Sequence, residues 1–287
     1  MKNIYILQIT KNCNQDCIYC CRDVQTKENS LLEIKKNILN LKNIEQIIIT
    51  GGEPTLRKDL PEIIKYINNF SYKIHLQTNG INFKDLNYCK KIVNNGLNSA
   101  LVALPTFNNE TCNKITNKKN ILKDKIKGIK NLAKFFRLKL GVVFVPTNLN
   151  YKEFIIYVKR ISKISRDIYI QVSYPIKSYK KKNYKMVKYK ELSKYINEGA
   201  KICKEKNIEL RIDGIPICYI PDLINYVSDL KTRRYEFTQD FIEQKRKKYD
   251  SNNYKGKEHI KIKKCKKCNF NQLCKGFYKH YADKFMK

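Results

Sequence analysis

Apolar runs of five to seven residues alternate along the chain with longer segments whose hydrophobic positions fall three or four apart. The runs cover residues 4–9, 46–50, 72–77, 99–104, 139–145 and 168–173, a length and an Ile/Leu/Val content suited to buried strands. Between the first two, Ser30-Leu-Leu-Glu33 reads as a capping box opening a helix whose Leu31, Ile34, Ile38 and Leu41 form one stripe. Asp59-Leu-Pro-Glu62 opens the next, with Asp59 as the expected N-cap and Pro61 in a first turn where its missing N–H costs nothing. Leu122, Ile126, Ile129 and Leu132 predict a later helix. Strand and helix in alternation imply βα units and parallel pairing, an α/β fold.

Beyond the sixth run, residues 177–188 are lysine-rich and read as a solvated exit from this repeating region. A helix near 192–204 and a strand at 208–212 follow, and the chain then enters a second cysteine-bearing region.

A chain of 287 residues with 42% hydrophobic content accommodates one large domain with a small appendage. Residues 1–9 alternate as a strand does and lack a signal-peptide cleavage region, and no apolar run approaches a membrane span. The expectation is a cytoplasmic protein with no membrane partner. Eleven cysteines in such a chain point to metal rather than disulfides. A formal net charge of +33 suits association with phosphate-rich partners. The excess is lysine accompanied by Asn, Ile and Tyr with no Trp, the signature of an AT-rich coding sequence, so a nucleic-acid partner is a secondary expectation carried by residues 177–188 and 245–264.

Cys13-Asn-Gln-Asp-Cys17-Ile-Tyr-Cys20 follows the first strand. A structural zinc site needs four N/S ligands, and an iron–sulfur cluster used for electron transfer takes four cysteines. Three thiolates leave one iron open for chemistry, unless the motif is part of a zinc knuckle. After the second strand comes Gly51-Gly52-Glu53-Pro54, by itself only a turn sequence.

Together the two motifs, at strand ends separated by one helix, resemble those of the radical S-adenosylmethionine (SAM) enzymes, whose loop reads C-x3-C-x2-C with an aromatic residue before the last cysteine, here Tyr19. The resemblance implies a partial (β/α)6 TIM-like barrel over residues 1–190, with its catalytic face at the C-terminal strand ends. It implies a [4Fe–4S] cluster on Cys13, Cys17 and Cys20 whose open iron chelates SAM. Gly51, Gly52, Glu53 and Pro54 would then receive the methionine ammonium through backbone and carboxylate, and the backbone around Tyr19 would face the adenine. An electron from the cluster would cleave SAM to a 5′-deoxyadenosyl radical that abstracts hydrogen from a substrate. An electron donor such as flavodoxin or ferredoxin is implied as a partner.

Gln77-Thr-Asn-Gly80 resembles a recurrent loop of the same family, which makes Asn79 a candidate SAM contact; a plain Asn-Gly turn is the alternative. The fourth strand lacks the serine many members place there, so Thr106 or Asn108 is expected to substitute. Asn148, Gln171, Ser173 and Tyr174 at later strand ends are candidates for a substrate chamber. Asp213 is a candidate acid or base and equally a turn former.

Near the C-terminus, Cys265, Cys268 and Cys274 have spacing x2 then x5, with Cys218 upstream. Four thiolates suit structural zinc or a second [4Fe–4S] cluster. The pattern resembles the SPASM or shorter twitch extension of radical SAM enzymes, which implies iron and a cluster-binding region over residues 205–287, although Tyr278 stands where a further cysteine would be expected. Cys89, Cys112 and Cys203 are expected to be buried apolar residues, as is Cys21 beside the loop, and His75 to be packing. By resemblance the substrate would be a peptide or protein undergoing maturation. A nucleotide, tRNA or small molecule is the enzymatic alternative, and a non-catalytic zinc-binding nucleic-acid-binding protein the alternative of another class.

Overall fold

The computed structural model describes residues 2–20, 28–135, 137–175, 184–231, 235–241, 244–250 and 258–286. Seven strands run parallel: β1 (Lys2–Thr10), β2 (Gln46–Gly51), β3 (Lys73–Thr78), β4 (Ser99–Ala103), β5 (Lys139–Phe144), β6 (Tyr169–Ser173) and β7 (Leu210–Asp213). A hairpin of β8 (Tyr235–Phe241) and β9 (Gln244–Asp250) adds to the other side of β1, with β8 parallel to it. The order β7-β6-β5-β4-β3-β2-β1-β8-β9 is linear, so the sheet is a partial barrel that does not close.

The six expected strands are all present, and the strand expected at 208–212 joins them as β7, paired with β6. The sheet therefore continues past residue 205 to β7. Part of the basic stretch expected at 245–264 lies in β9; residues 251–257 of it, like 176–183 and Cys21, lie outside the described residues.

Helices α1 (Leu31–Leu39), α2 (Leu60–Asn68), α3 (Leu86–Asn94), α4 (Asn109–Thr116), α5 (Leu122–Leu132), α6 (Phe154–Ser162) and α7 (Tyr189–Glu205) cover one face of the sheet. Alternate strand residues such as Leu7, Ile9, Ile47, Ile49, Ile74, Leu76, Val102, Val142 and Val172 are buried beneath them. Those of opposite parity, among them Gln8, Thr50, His75, Gln77, Gln171 and Asp213, face the inner concavity half-buried. The inner floor is filled by Tyr169, which lies across Gly141 and under the Arg211 guanidinium, 3.9 Å from the ring centroid.

The capping box forms as expected: the Ser30 side chain accepts the Glu33 N–H and Glu33 accepts the Ser30 N–H. Asp59 differs. Its side chain caps nothing, because its carboxylate is held by the Arg57 guanidinium through two hydrogen bonds of 2.8 and 2.6 Å. The buried side of α5 also differs from the expected stripe: Leu122, Lys125, Gly128, Ile129 and Leu132 are buried, whereas Ile126 is only partly so.

The C-terminal segment forms a two-stranded sheet, β10 (His259–Ile260) with β11 (Phe277–Tyr278), following the short helix α8 (Ser228–Lys231), and ends in α9 (Lys279–Phe285). It docks on the β6–α7 side through aromatic packing. Tyr281 stacks on Tyr189 at 3.9 Å, and the Tyr189 N–H donates to the Tyr281 hydroxyl at 2.9 Å.

Gly128 lets α5 approach the loop after β3, since a Cβ there would lie 2.2 Å from the Gly80 carbonyl oxygen. Gly128→Ala is therefore expected to destabilise the protein by about 1–3 kcal/mol through overpacking, although alanine normally favours a helix by about 1 kcal/mol over glycine. Urea unfolding gives the sign; a gain in stability would contradict this packing.

Candidate metal centres

The chain leaves β1 into the cysteine loop and leaves β2 into Gly51-Gly52-Glu53, and the two exits are bonded together. The Gly52 N–H donates to the Thr10 carbonyl at 2.6 Å and the Glu53 N–H to the Asn12 carbonyl at 2.7 Å. Nothing larger than glycine fits, because a Cβ would lie 2.3 Å from the Thr10 carbonyl oxygen at Gly51 and 2.1 Å from that of Asn12 at Gly52. Gly51 also has φ +127°.

Two further clamps hold the loop. The Glu28 carboxylate accepts from the Thr10 hydroxyl, from the Lys11 N–H at 3.3 Å and from the Asn12 amide at 3.0 Å. On the far side, Asp16 N–H and Ile18 N–H donate to the Thr116 and Ile115 carbonyls at 3.0 and 2.9 Å, which pins the loop to the end of α4.

Cys13, Cys17 and Cys20 are half-buried on this loop. Burial pushes the Cys17 thiol up to about 11, while Lys125 lowers it and Cys20 and Cys13 raise it; this mutual coupling marks the three sulfurs as neighbours. Tyr19 hydrogen-bonds Cys17 through its hydroxyl, whose pKa burial and Cys17 drive well above the ordinary value. Among the described residues no group of three His, Cys, Asp or Glu side chains is arranged to hold a single metal ion. A loop that carries three half-buried sulfurs, two of them near that of Cys17, fits a larger iron–sulfur cluster with one iron left open, and loading it requires the thiols to release their protons.

Glu53 is 1% exposed and is consumed inside the protein. Its carboxylate accepts from the Thr55 N–H and hydroxyl at 3.1 and 2.6 Å, from the Thr78 hydroxyl at 2.7 Å and from the Asn79 N–H at 2.6 Å. All of these contacts are structural, and Pro54 is buried with it. Half-buried Gly51 and Gly52 are the part of the motif whose backbone a ligand could reach.

Asn79 is likewise a brace. Its amide donates to the Asn14 side chain at 2.7 Å and its side-chain oxygen accepts from the Ile81 N–H at 3.1 Å. Its carbonyl accepts from the Lys125 ammonium at 2.6 Å. Thr106 and Asn108 also work locally. The Thr106 hydroxyl bonds the Glu153 carboxylate, and the Asn108 side chain caps α4 by accepting the Thr111 N–H at 2.9 Å.

Of the expected chamber residues, Gln171 and Ser173 lie on the inner face, with the Gln171 amide donating to Asp213 at 3.0 Å. Asn148 is exposed on a loop. Tyr174 points the other way: it is 1% exposed in the aromatic cluster and its hydroxyl donates to the Val187 carbonyl at 2.8 Å. Half-buried His75 meets the Ser99 hydroxyl at 2.8 Å, and burial, followed by Arg211, lowers its pKa to about 4. Cys89, Cys112 and Cys203 are buried.

The second cysteine set converges after β7. Cys218 sits in the helical turn Ile217–Tyr219, and its thiol is pushed up to about 11 by burial and then by Cys274, Cys268 and Cys265. Cys265 and Cys268 flank a tight turn closed by Cys268 N–H to the Cys265 carbonyl at 3.1 Å, and Gly276 N–H points at the Cys274 sulfur at 3.4 Å. Cys218 with three further sulfurs near it and an N–H directed at that of Cys274 suits a thiolate-bound cluster of iron and sulfide better than a single metal ion, for which no group of three such side chains is arranged among the described residues.

The residue that sequence reading missed is Lys125, fully buried beneath the first loop. Its signal was a lysine three residues after Leu122 and four before Ile129, inside an apolar stripe.

A family model described as the Radical SAM superfamily matches residues 7–161. Similar curated proteins include the probable GTP 3′,8-cyclase of Methanococcus maripaludis, 38% identical over 146 residues that make up 48% of each chain. The probable GTP 3′,8-cyclase of Pyrococcus horikoshii is 34% identical over 48% of this chain and 45% of its own, and the GTP 3′,8-cyclase of Campylobacter jejuni 35% identical over 53% and 50%. The chain spans about half the length of these curated relatives. Among solved structures, Streptococcus suis SuiB bound to precursor peptide SuiA aligns with a TM-score of 0.69 at 15% identity, covering 96% of this chain and 71% of SuiB. Native anSMEcpe with bound AdoMet aligns at 0.64 and 18% identity, covering 97% and 89%. These likenesses show the fold.

Glu53→Gln would replace an acceptor oxygen by a donor facing buried donors, an expected loss of about 1–3 kcal/mol in urea unfolding; an unchanged midpoint would contradict the arrangement. The Thr10 hydroxyl holds the Glu28 carboxyl below its ordinary range. A depressed carboxyl stabilises the fold fully above its unfolded pKa of about 4.3 and loses that contribution as pH falls through the lower folded value. Hydrogen exchange at Lys11 and Asn12 should therefore accelerate below about pH 4, and Glu28→Gln should remove that pH dependence.

Proposed function

The chain belongs to the radical SAM superfamily, and from that premise we propose that Cys13, Cys17 and Cys20 hold its [4Fe–4S] cluster, with SAM seated along the backbone of Gly51 and Gly52. When bound, this pair supplies the one-electron cleavage that generates a hydrogen-abstracting 5′-deoxyadenosyl radical. The observation that carries the reading is the paired exit of β1 and β2, where the glycine backbone lies against the root of the cysteine loop. The remaining work belongs to the protein. Glu28, the end of α4, Glu53 and Asn79 hold the loop from every side, so that ligand sulfurs and SAM-facing backbone keep one spacing.

For the substrate we favour a nucleotide or similar small molecule over the peptide first expected. The sequence relatives that match this chain at 34–38% identity are named GTP 3′,8-cyclase, whereas the peptide reading has fold likeness behind it. The inner face supports the choice: Gln8, Thr50, Gln77, Gln171, Ser173 and Asp213 form a belt of hydrogen-bonding side chains suited to a base and sugar. Family membership sets aside the non-catalytic zinc protein. We assign Cys218, Cys265, Cys268 and Cys274 to a second iron–sulfur cluster, and a low-potential electron donor of the flavodoxin or ferredoxin class to the role of reductant. No helix among the described residues is long and apolar enough to cross a membrane.

The test is anaerobic reconstitution with iron and sulfide, followed by assay of 5′-deoxyadenosine with dithionite and SAM. About eight irons per chain are expected, falling to about four with cleavage abolished when Cys13, Cys17 and Cys20 are replaced by alanine. Zinc in place of iron at the C-terminal cysteines would remove the second cluster. If GTP and other purine nucleotides neither bind nor alter 5′-deoxyadenosine formation, the nucleotide reading fails.

A further inference from the structure

Lys125 is 0% exposed, and among the described residues its hydrogen-bond acceptor is the Asn79 carbonyl at 2.6 Å. An ammonium has three donors to satisfy and is costly to bury without an anion near it. Burial lowers its pKa, and the groups that oppose this by favouring the charged form are, in decreasing strength, Cys17, Cys112, Glu53 and Cys13. Two of these are sulfurs of the first cysteine loop.

The other nearby charge does not replace them. The Glu53 carboxylate is already bonded by four donors of its own, from Thr55, Thr78 and Asn79, and it meets Asn79 through the N–H whereas Lys125 meets it through the carbonyl. Lys125 is also placed rigidly. It lies one turn before Gly128, where α5 is pressed against Gly80, and on the same face as buried Leu122 and Ile129. The ammonium is therefore held at a fixed position out of contact with solvent and tied to the loop through the Asn79 carbonyl and the Asn79–Asn14 hydrogen bond.

We propose that Lys125 is a positioning residue whose buried positive charge raises the reduction potential of the cluster held by Cys13, Cys17 and Cys20. A cluster with three thiolates is anionic, and accepting one electron from an external low-potential donor makes it more negative by one unit. No proton moves and no bond changes in that step. A fixed cation in a medium of low polarity stabilises the reduced form more than the oxidised form. The same charge, acting through the Asn79 carbonyl and the Asn79–Asn14 hydrogen bond, ties the loop to α5. This inference rests on the proposed cluster at Cys13, Cys17 and Cys20.

The experiment is a potentiometric titration of the reconstituted full chain, followed by the EPR signal that is absent when Cys13, Cys17 and Cys20 are replaced by alanine. Lys125→Met keeps length and removes charge, Lys125→Gln keeps a donor for Asn79 and removes charge, and Lys125→Arg keeps the charge. Expected is a fall of about tenfold in the one-electron reduction constant for either neutral variant, a shift of about 59 mV to lower potential, with the arginine variant within threefold of the parent. Thermal melting of each variant reports folding separately, and if Lys125→Met does not fold, Lys125→Gln carries the comparison. Retention of iron by Lys125→Arg but by neither neutral variant would also support the charge role. A cluster retained in the neutral variants at a potential within threefold of the parent, or iron lost equally from all three, overturns the inference while leaving the cluster assignment standing. Iron content that does not fall on removal of the three cysteines overturns the assignment and the inference together.

Discussion

Everything at the first centre depends on how closely two backbones approach where β1 and β2 end. Their parallel pairing continues past the last regular register as hydrogen bonds from Gly52 to Thr10 and from Glu53 to Asn12, at 2.6 and 2.7 Å. A side chain at either glycine would occupy the space of a carbonyl oxygen. The cysteine loop consequently starts from a place the sheet dictates.

Around that contact the protein spends buried polar groups freely. Glu53 joins the end of β2 to the end of β3, Asn79 joins β3 to the cysteine loop, and Lys125 joins both to α5. Each member is expensive to bury alone and inexpensive once the others are present. Such a network specifies one arrangement of four consecutive βα units, because moving any one leaves a donor or an ion without a partner. On the opposite flank, aromatic packing serves the same end for the C-terminal segment: Tyr189, Tyr281, Tyr174 and Phe277 lock it to the β6–α7 side, below the loop that carries Cys218.

Much of this was legible in the chain. Buried parallel strands announce themselves as apolar runs, and a capping box such as Ser30 to Glu33 is a local device that needs no partner elsewhere. Asp59 was misread because Arg57, two residues earlier, outcompetes the helix N-terminus for its carboxylate, an outcome that depends on where the Arg57 guanidinium is held, at the Ile9 and Asn29 carbonyls. Tyr174 was misread by strand parity: it follows the end of β6, where the polar side chains Gln171 and Ser173 face inward and the intervening positions face the helices.

Sequence alone determined the α/β class, the family, and which cysteines stand near one another along the chain, because strand periodicity and motif spacing are short-range properties. Tertiary structure decided that Glu53 and Asn79 are hydrogen-bonded inside the protein, that Cys218 comes near cysteines far along the chain from it, and that Lys125 is buried against the Asn79 carbonyl. Those outcomes depend on which elements pack against each other, and a buried charge finds its partners only when distant segments have been brought within a few ångströms of it.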